Sequence, residues 1–431
     1  MWDQLPELIL MRIFSHLGRT DLANAGQVCQ SWNRALSSPA LWRSVTVLID
    51  RDLREDFPLV GELAAKYGQY MRTLELAWSR PYISPREACI TRSIRAEAGV
   101  DFLTVVRAKD VQLKELILTD WVFCCKWRNR GKLLFALGNF LRYCQQSLET
   151  LSLLNANLGV NETLRLLSSA SRGCSHRLSY LDLRGAFREW QAPHSHPRYL
   201  RVLGRFHALS VLRLDYPALS DHTLNALANA APKALKTLHI SVRDSDSRHH
   251  TIADSAWQNL AQACPKLTVS YTIVNISHYE DMCYLLLPSV PLARFQMFSG
   301  HVWDQSRSRN FRSTVGLLIT NYTTTLVEVM LQLRNNRESL DDLLISMLVR
   351  CTRLTRLQYD GIMRSLDTLR DICQLQTENK TRFRTIHVKP RNVNAQNRAI
   401  LHDITYNYDH KLTEQGVDFR VEDPASVLVF Y

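Results

Sequence analysis

The first seventeen residues carry an apolar pattern that predicts a helix with two buried sides. Apolar side chains occupy seven of the ten positions from 8 to 17, namely Leu8, Ile9, Leu10, Met11, Ile13, Phe14 and Leu17. Apolar residues at this density occupy more than one stripe of a helix, so both sides of the helix must be buried against other residues. A module of fewer than about fifty residues is too small to bury both sides. One side is therefore predicted to contact another domain or a partner.

Three short elements are predicted to follow this helix before residue 45. Pro6 is expected at the first helical position and Gly18 just past the helix end. Thr20 is expected to cap a second helix. A third helix is predicted to begin near Cys29, and a turn with Leu41 and Trp42 follows it.

A short apolar pattern recurs along the rest of the chain and predicts repeated strands. Apolar residues stand at the first, fourth and sixth positions of most copies. The copies span residues 71–76, 113–118, 148–153, 178–183, 209–214, 235–240, 267–273, 292–297, 326–331, 354–359 and 383–388. The mean repeat is therefore about 35 residues, and residues 45–49 add a strand before the first copy.

Helical stretches separate these strands, and two folds remain open for that alternation. Asn161, Ser220 and Asp254 are residue types favoured at helix N-caps. A solenoid would bury each strand's apolar positions by stacking on its neighbours. An α/β sheet with the same order of elements gives the same period. The apolar residues 426–431 are expected to cover the last repeat.

Composition excludes several classes and leaves one oddity. Apolar residues make up 46% of the chain, which excludes a disordered polypeptide. No apolar run approaches the ~18 residues that cross a bilayer, and Asp3 and Glu7 are atypical of a signal peptide. The ten cysteines show no CxxC spacing, so reduced thiols in the cytoplasm and/or nucleus are expected. Composition alone does not show where on the molecule the formal charge of +12 lies.

The N-terminal residues resemble an F-box. The matching positions are Trp2-Asp3-Gln4-Leu5-Pro6, Ile13-Phe14, Leu17, Asp21-Leu22, Val28-Cys29, Trp32 and Leu41-Trp42. Leu8 departs from the acidic residue usual in that family. The resemblance implies a three-helix module that docks on a Skp-type adaptor, which in turn binds a cullin–RING ubiquitin ligase. It implies adaptor contacts at Trp2, Leu5, Pro6, Ile9, Leu10, Ile13 and Phe14, with Trp32 and Trp42 nearer the core of the module.

The repeats resemble leucine-rich repeats, and the combination resembles F-box proteins that carry such repeats. The expected fold class is α/β, with a three-helix F-box at residues 1–45 and a leucine-rich-repeat-like horseshoe solenoid at residues 46–431. A rigid junction between them would hold a substrate at a fixed distance from the ligase. The resemblance implies a substrate receptor without catalytic residues. We predict no cofactor or metal, because no common catalytic or nucleotide-binding motif is present.

Charge suggests where a substrate would bind. On the predicted concave strand face six acids meet five bases, so that face is expected to be nearly neutral. Loops after the strands are rich in Arg and Trp, the residue types enriched at binding hot spots. The candidate substrate contacts are Trp127, Arg128, Arg130, Arg184, Arg188, Trp190, Arg213 and Trp303. They would receive an acidic or phosphorylated segment, or else the Arg side chains are only solvated and the Trp rings pack beneath them.

Two other functions stay open at this stage. A pI near 9.3 and interleaved basic and aromatic residues also fit a nucleic-acid binder, although the F-box resemblance favours a protein partner. An F-box scaffold that degrades nothing is the other alternative.

Overall fold

A computed structural model describes most of the chain, and the chain forms two compact units. The described residues are 4–53, 59–78, 96–121, 130–188, 191–246, 250–276, 278–299, 310–335, 338–391 and 393–422. The first unit comprises Met1–Leu209 and the second Ser210–Tyr431.

The first unit opens with a three-helix module. Its helices are α1 (Glu7–Phe14), α2 (Arg19–Ala25) and α3 (Gln30–Leu36), followed by a 3-10 turn at Pro39–Trp42. Pro6 is the N-cap of α1 rather than its first helical residue. The predicted cap at Thr20 is wrong, because Gly18 has extended backbone and its carbonyl accepts the Leu22 N–H at 2.9 Å. The helix therefore starts one residue before Thr20.

The module has a small apolar core of its own. Leu10 and Phe14 from α1 pack with Ala25, Ala35 and Leu36, and all five are buried. Half-buried side chains close this core at its edges, namely Leu5, Leu17, Leu22, Trp32 and Leu41. The Trp32 ring meets the Phe14 ring edge-on, with 5.4 Å between the ring centroids. The i and i+4 spacing of Leu10 and Phe14 decides which side of α1 faces inward.

Strands and helices then alternate through the rest of the first unit. The strands are β1 (Ser44–Leu48), β2 (Thr73–Ala77), β3 (Glu115–Thr119), β4 (Thr150–Ser152) and β5 (Tyr180–Asp182). The helices are α4 (Ile49–Asp52), α5 (Leu59–Tyr67), α6 (Ala96–Ala108), α7 (Arg130–Tyr143), α8 (Val160–Gly173) and α9 (Pro197–Leu203), with 3-10 turns at Gly68–Tyr70, Cys144–Gln146 and Pro193–Ser195. These strands pair in parallel and in chain order.

The second unit continues the alternation with longer strands. These are β6 (Val211–Asp215), β7 (Thr237–Arg243), β8 (Thr268–Val274), β9 (Leu292–Ser299), β10 (Glu328–Leu333), β11 (Arg356–Ile362), β12 (Thr385–Arg391) and β13 (Asp418–Val421). The helices are α10 (Asp221–Ala230), α11 (Asp254–Ala263), α12 (Tyr279–Leu285), α13 (Phe311–Asn321), α14 (Asp341–Arg350), α15 (Asp367–Thr377) and α16 (Ala395–Glu414), with a 3-10 turn at Tyr216–Ala218. These strands also pair in parallel and in chain order.

The predicted fold class, an F-box followed by leucine-rich-repeat-like α/β units, is confirmed. All eleven predicted copies contain a strand, and β13 was not predicted. Strictly sequential parallel pairing within each unit is typical of a repeat stack, whereas a doubly wound sheet reorders its strands. The predicted cap at Ser220 is confirmed by its hydroxyl, which accepts the Thr223 N–H at 3.2 Å. Asn161 and Asp254 lie inside their helices instead, and residues 426–431 lie outside the described residues.

Buried cysteines mark the ends of several repeat helices. Cys144, Cys174, Cys264 and Cys351 each stand at or next to a helix C-terminus and three or four residues before a buried leucine. The Cys174 thiol donates to the Leu141 carbonyl at 3.6 Å, which ties α8 to α7. Burial raises the pKa of Cys144 to about 12 and that of Cys174 to about 11. The four thiols are small core side chains, and those of Cys174 and Cys264 also donate to carbonyls at the ends of neighbouring helices.

The three-helix module runs directly into the first repeat. The Trp42 ring stacks on the Tyr67 ring of α5, with centroids 4.4 Å apart and planes 9° apart. The Arg43 carbonyl accepts the N–H groups of Arg72 and Thr73 at 2.8 and 2.9 Å. β1 begins at Ser44, so the domain boundary predicted at residue 45 lies inside this strand and stays a prediction.

Candidate functional site

One side of α1 exposes apolar side chains that the module does not cover. Ile9 is 47% exposed and Ile13 39% exposed, and Pro6, Ile9 and Ile13 follow one another at helical spacing. We name these three residues the α1 apolar face. Leu8 is 75% exposed on another side of the helix. One apolar side of the predicted helix is thus buried in the core of the module, and the other is exposed.

The structure distributes the predicted adaptor contacts between these two sides. Pro6, Ile9 and Ile13 lie on the open face, whereas Leu10 and Phe14 lie in the core. Leu5 is half-buried beside that core, and Trp2 lies outside the described residues. Their role as adaptor contacts stays a prediction.

Two exposed apolar residues of the module were missed by the sequence interpretation. Leu8 belongs to the apolar pattern of α1, and Val28, in the α2–α3 connection, belongs to the F-box resemblance, but neither is among the predicted contacts. A periodicity analysis finds apolar stripes, but it does not show which apolar side chain a neighbouring helix covers.

The outward strand face of the first unit is a network of carboxylates and hydroxyls. Glu75 on β2 accepts from the hydroxyls of Thr46 and Thr119, at 2.9 and 3.1 Å, on the strands to either side. Glu115 on β3 accepts from the Thr73 hydroxyl at 3.1 Å. These bonds link β1, β2 and β3 across their solvent side.

Asp182 and Arg184 form the tightest ion pair of this face. Arg184 Nε and Nη2 donate to the two carboxylate oxygens of Asp182, at 3.0 and 2.7 Å. The Arg184 backbone N–H also donates to Asp182. The Asp182 side chain is only 3% exposed, so the pair holds the turn after β5 in place.

The predicted substrate contacts occupy diverse environments. Arg130 is buried at the start of α7, where Nη2 donates to Glu162 at 2.8 Å, an arrangement that does not favour a role as an exposed binding cation. Arg188 is half-buried after β5, and Arg213 is half-buried on β6. Four further predicted contacts lie outside the described residues: Trp127, Arg128, Trp190 and Trp303.

The outward strand face of the second unit carries a row of alternating charge. Glu328 on β10 stands between Arg294 on β9 and Arg356 on β11, with N–O distances of 3.5 and 3.8 Å. Register places these three residues side by side across the strands. Towards the C-terminal ends of β11 and β12, Arg391 on β12 donates to both carboxylate oxygens of Asp360 on β11.

The last strand adds a charged cluster at the edge of the second unit. The side chain of His387 lies 2.9 Å from the Asp418 carboxylate, and Arg420 Nε donates to the same carboxylate at 2.9 Å. The hydrogen bond with His387, followed by that with Arg420, lowers the pKa of Asp418 below its ordinary value. Asp418 therefore carries its charge at neutral pH.

Two findings concern groups of metal ligands and bilayer-crossing helices in the described part of the chain. Within it, no three His, Cys, Asp or Glu side chains are grouped as metal ligands. Nor does any described helix combine the length and the apolar character that a bilayer crossing requires.

Comparison with known proteins agrees with this architecture. Residues 2–47 match the F-box-like family model. The chain is 27% identical over 369 residues to F-box/LRR-repeat protein 8 of Bos taurus, covering 84% of this chain and 90% of the relative. It is 23% identical over 366 residues to F-box/LRR-repeat protein 21 of Bos taurus, covering 83% and 76%.

Solved structures that are similar to the chain include the leucine-rich repeat-containing protein LegL7 from Legionella pneumophila. It aligns with a TM-score of 0.36 and 13% identity, over 72% of this chain and 92% of that one. Residues 2–47 thus match an F-box-like domain, and parallel strand–helix repeats follow it. The relatives of the chain are F-box/LRR-repeat proteins.

Proposed function

We propose that this protein is the substrate-recognition subunit of an SCF-type E3 ubiquitin ligase. In this proposal the F-box-like domain docks on a Skp-type adaptor, which binds the cullin–RING core. The repeats recruit a protein substrate. Ubiquitin transfer takes place on other subunits, so the chain is a non-catalytic receptor, and we place its activity in the cytoplasm and/or nucleus.

The observation that supports adaptor docking is the α1 apolar face. Because Leu10 and Phe14 already fill the core of the module, the exposed side chains of Pro6, Ile9 and Ile13 do not contribute to that core. Complete burial of an exposed Ile side chain is worth about 1.5–3 kcal/mol, so Ile9 and Ile13, which are 47% and 39% exposed, would each gain about half of that on docking. A partner helix or groove of apolar lining fits such a face.

Adaptor docking is tested by Ile13→Glu in the full chain, co-expressed with a Skp-type adaptor. A carboxylate on this face would be desolvated in the interface, so we expect co-purification of the adaptor to be lost. Phe135→Glu is the matched control, because Phe135 is an exposed apolar residue on α7 of the repeats. The control should keep the adaptor. Retention of the adaptor by the Ile13→Glu protein would contradict the proposal.

Substrate recruitment is tested separately, by proximity labelling in cells. Proteins labelled by both forms, but more abundant in cells that express the Ile13→Glu form, are substrate candidates. Their turnover should slow when the adaptor contact is lost. Partners whose abundance is the same with both forms would indicate a scaffold that assembles proteins without degrading them.

A further inference from the structure

Six exposed arginines gather at one edge of the second unit, where repeat helices pass into strands. Arg350 ends α14, and Arg353 lies in the loop before β11. Arg382 and Arg384 lie in the loop before β12. Arg294 and Arg356 stand on β9 and β11 next to these loops. We name these six residues the arginine cluster.

Backbone hydrogen bonds hold the two loops of the cluster together. The Arg384 N–H donates to the Thr355 carbonyl at 2.8 Å, and the Thr355 N–H donates to the Val327 carbonyl at 2.9 Å. The cluster therefore crosses the neighbouring strands β9 to β12. Adjacent strands lie about 4.8 Å apart, so these four strands span about 14 Å.

Few carboxylates of the described residues lie beside the arginine cluster to balance its positive charge. Glu328 is shared by Arg294 and Arg356 and is only 12% exposed. Within the described residues, Arg350, Arg353, Arg382 and Arg384 make no salt bridge. A cation in the last turn of a helix offsets the helix dipole, which accounts for Arg350 alone. Arg353, Arg382 and Arg384 lie beyond the helix ends, where the dipole explanation does not apply.

We propose that the arginine cluster binds an acidic peptide segment of a protein partner. This inference rests on the proposed function and deepens it, because it names the chemistry of the substrate segment. Arg presents a planar fork that pairs with carboxylates in a bidentate way. Glu328 already shows a carboxylate held between two cluster arginines. An extended segment rises about 3.3 Å per residue, so about five residues span the cluster.

The composition of the cluster favours a peptide over a nucleic acid. Proteins that bind single strands without sequence preference combine a basic groove with exposed aromatic rings for base stacking. The loops at residues 351–355 and 378–384 contain one aromatic residue, Phe383, and it is buried. The exposed large aromatic side chains of the described chain lie on other elements, namely Phe135, Tyr284 and Tyr406.

The test is fluorescence anisotropy with the full chain bound to its adaptor, at about 150 mM salt. The probes are a labelled twelve-residue Glu/Ser peptide, the same peptide with phosphoserines, and a twelve-nucleotide oligothymidine. Arg353→Glu/Arg384→Glu should weaken binding of the Glu/Ser peptide by about tenfold or more. Arg172→Glu/Arg201→Glu is the control with the same charge change, on exposed helix positions of the first unit, and should change binding by less than about twofold.

Each outcome decides the proposal. A selective loss in the cluster variant supports it, and a larger loss with the phosphoserine peptide would identify the preferred anion. Equal losses in both double variants, or tighter binding of oligothymidine that depends on the cluster, would overturn it. Arg353→Gln/Arg384→Gln repeats the test without new negative charge. Because these arginines are remote from α1 in sequence, the variants should retain the adaptor, so failure here is distinct from failure of adaptor docking.

Discussion

The outward strand faces of the two units use charged residues in different ways. In the first unit, Glu75 and Asp182 each accept from side chains of the chain itself, which satisfies the carboxylates. In the second unit, Glu328 is outnumbered by the arginines around it. Carboxylates of the first face therefore contribute to stability, whereas the arginines of the second are available for a partner.

This difference shows why the summed charge of the strand faces was misleading. In the first unit three acids stand with one base: Glu75, Glu115 and Asp182 with Arg184. In the second unit three acids stand with four bases: Asp215, Glu328 and Asp360 with Arg213, Arg294, Arg356 and Lys389. Near neutrality is the sum of two faces with opposite excess. Part of the +12 of the chain lies in the loops before β11 and β12.

The largest expected effect is the loss of stability on removing Asp182. Asp182→Ala leaves the half-buried Arg184 guanidinium and a backbone N–H without this acceptor, so we expect the free energy of unfolding to fall by about 3 kcal/mol. Urea unfolding measures it. Arg294→Ala in the second unit is the comparison and should cost less than about 0.5 kcal/mol. Equal losses would remove the distinction between the two faces.

A smaller loss is expected on removing Glu75. Glu75→Ala deletes the acceptor of two hydroxyls on neighbouring strands, at about 1 kcal/mol each, so the free energy of unfolding should fall by about 2 kcal/mol. Glu115→Ala removes the acceptor of one such bond and should cost about half as much in the same urea titration. A loss below that of Glu115→Ala would show that the hydroxyl network does not stabilise the first face.

The smallest effect is expected at Glu328, the carboxylate that lies between two arginines of the cluster. Glu328→Gln removes the negative charge shared by Arg294 and Arg356, so binding of the Glu/Ser peptide should tighten by about two- to threefold. Fluorescence anisotropy measures the affinity for the peptide. The free energy of unfolding should change by less than about 0.5 kcal/mol. Weaker binding after this substitution would indicate that Glu328 orients the arginines rather than competing with the peptide.

Much of the fold could be predicted from the sequence because its signal is local and repeated. The three apolar positions of a strand, such as those of residues 148–153, must face the core, and they recur in most repeats. The end of the stack was harder to predict. β13 holds only one buried residue, Phe419, and lacks the repeated pattern.

Side-chain environment could not be predicted in the same way. Arg130 was expected on an exposed rim, yet it pairs with Glu162, which lies 32 positions further on and reaches it only because α7 and α8 are neighbours. Arg353 and Arg384 stand before their strands, whereas the excess of Arg and Trp that predicts a binding site lies in the loops after the strands. Which side of α1 is buried likewise depends on α3, through Ala35 and Leu36.

The direct passage from the module into β1 has a thermodynamic consequence. A flexible tether would let the repeats sample many orientations on the adaptor, and each encounter at the ligase would carry an ordering cost in entropy. The Trp42–Tyr67 stack and the bonds at the Arg43 carbonyl remove that freedom before any partner arrives. In the proposed receptor, docking of α1 on the adaptor would therefore fix the direction of the first repeats as well. The geometry of the complex would then determine which lysines of a substrate lie within reach of the ligase.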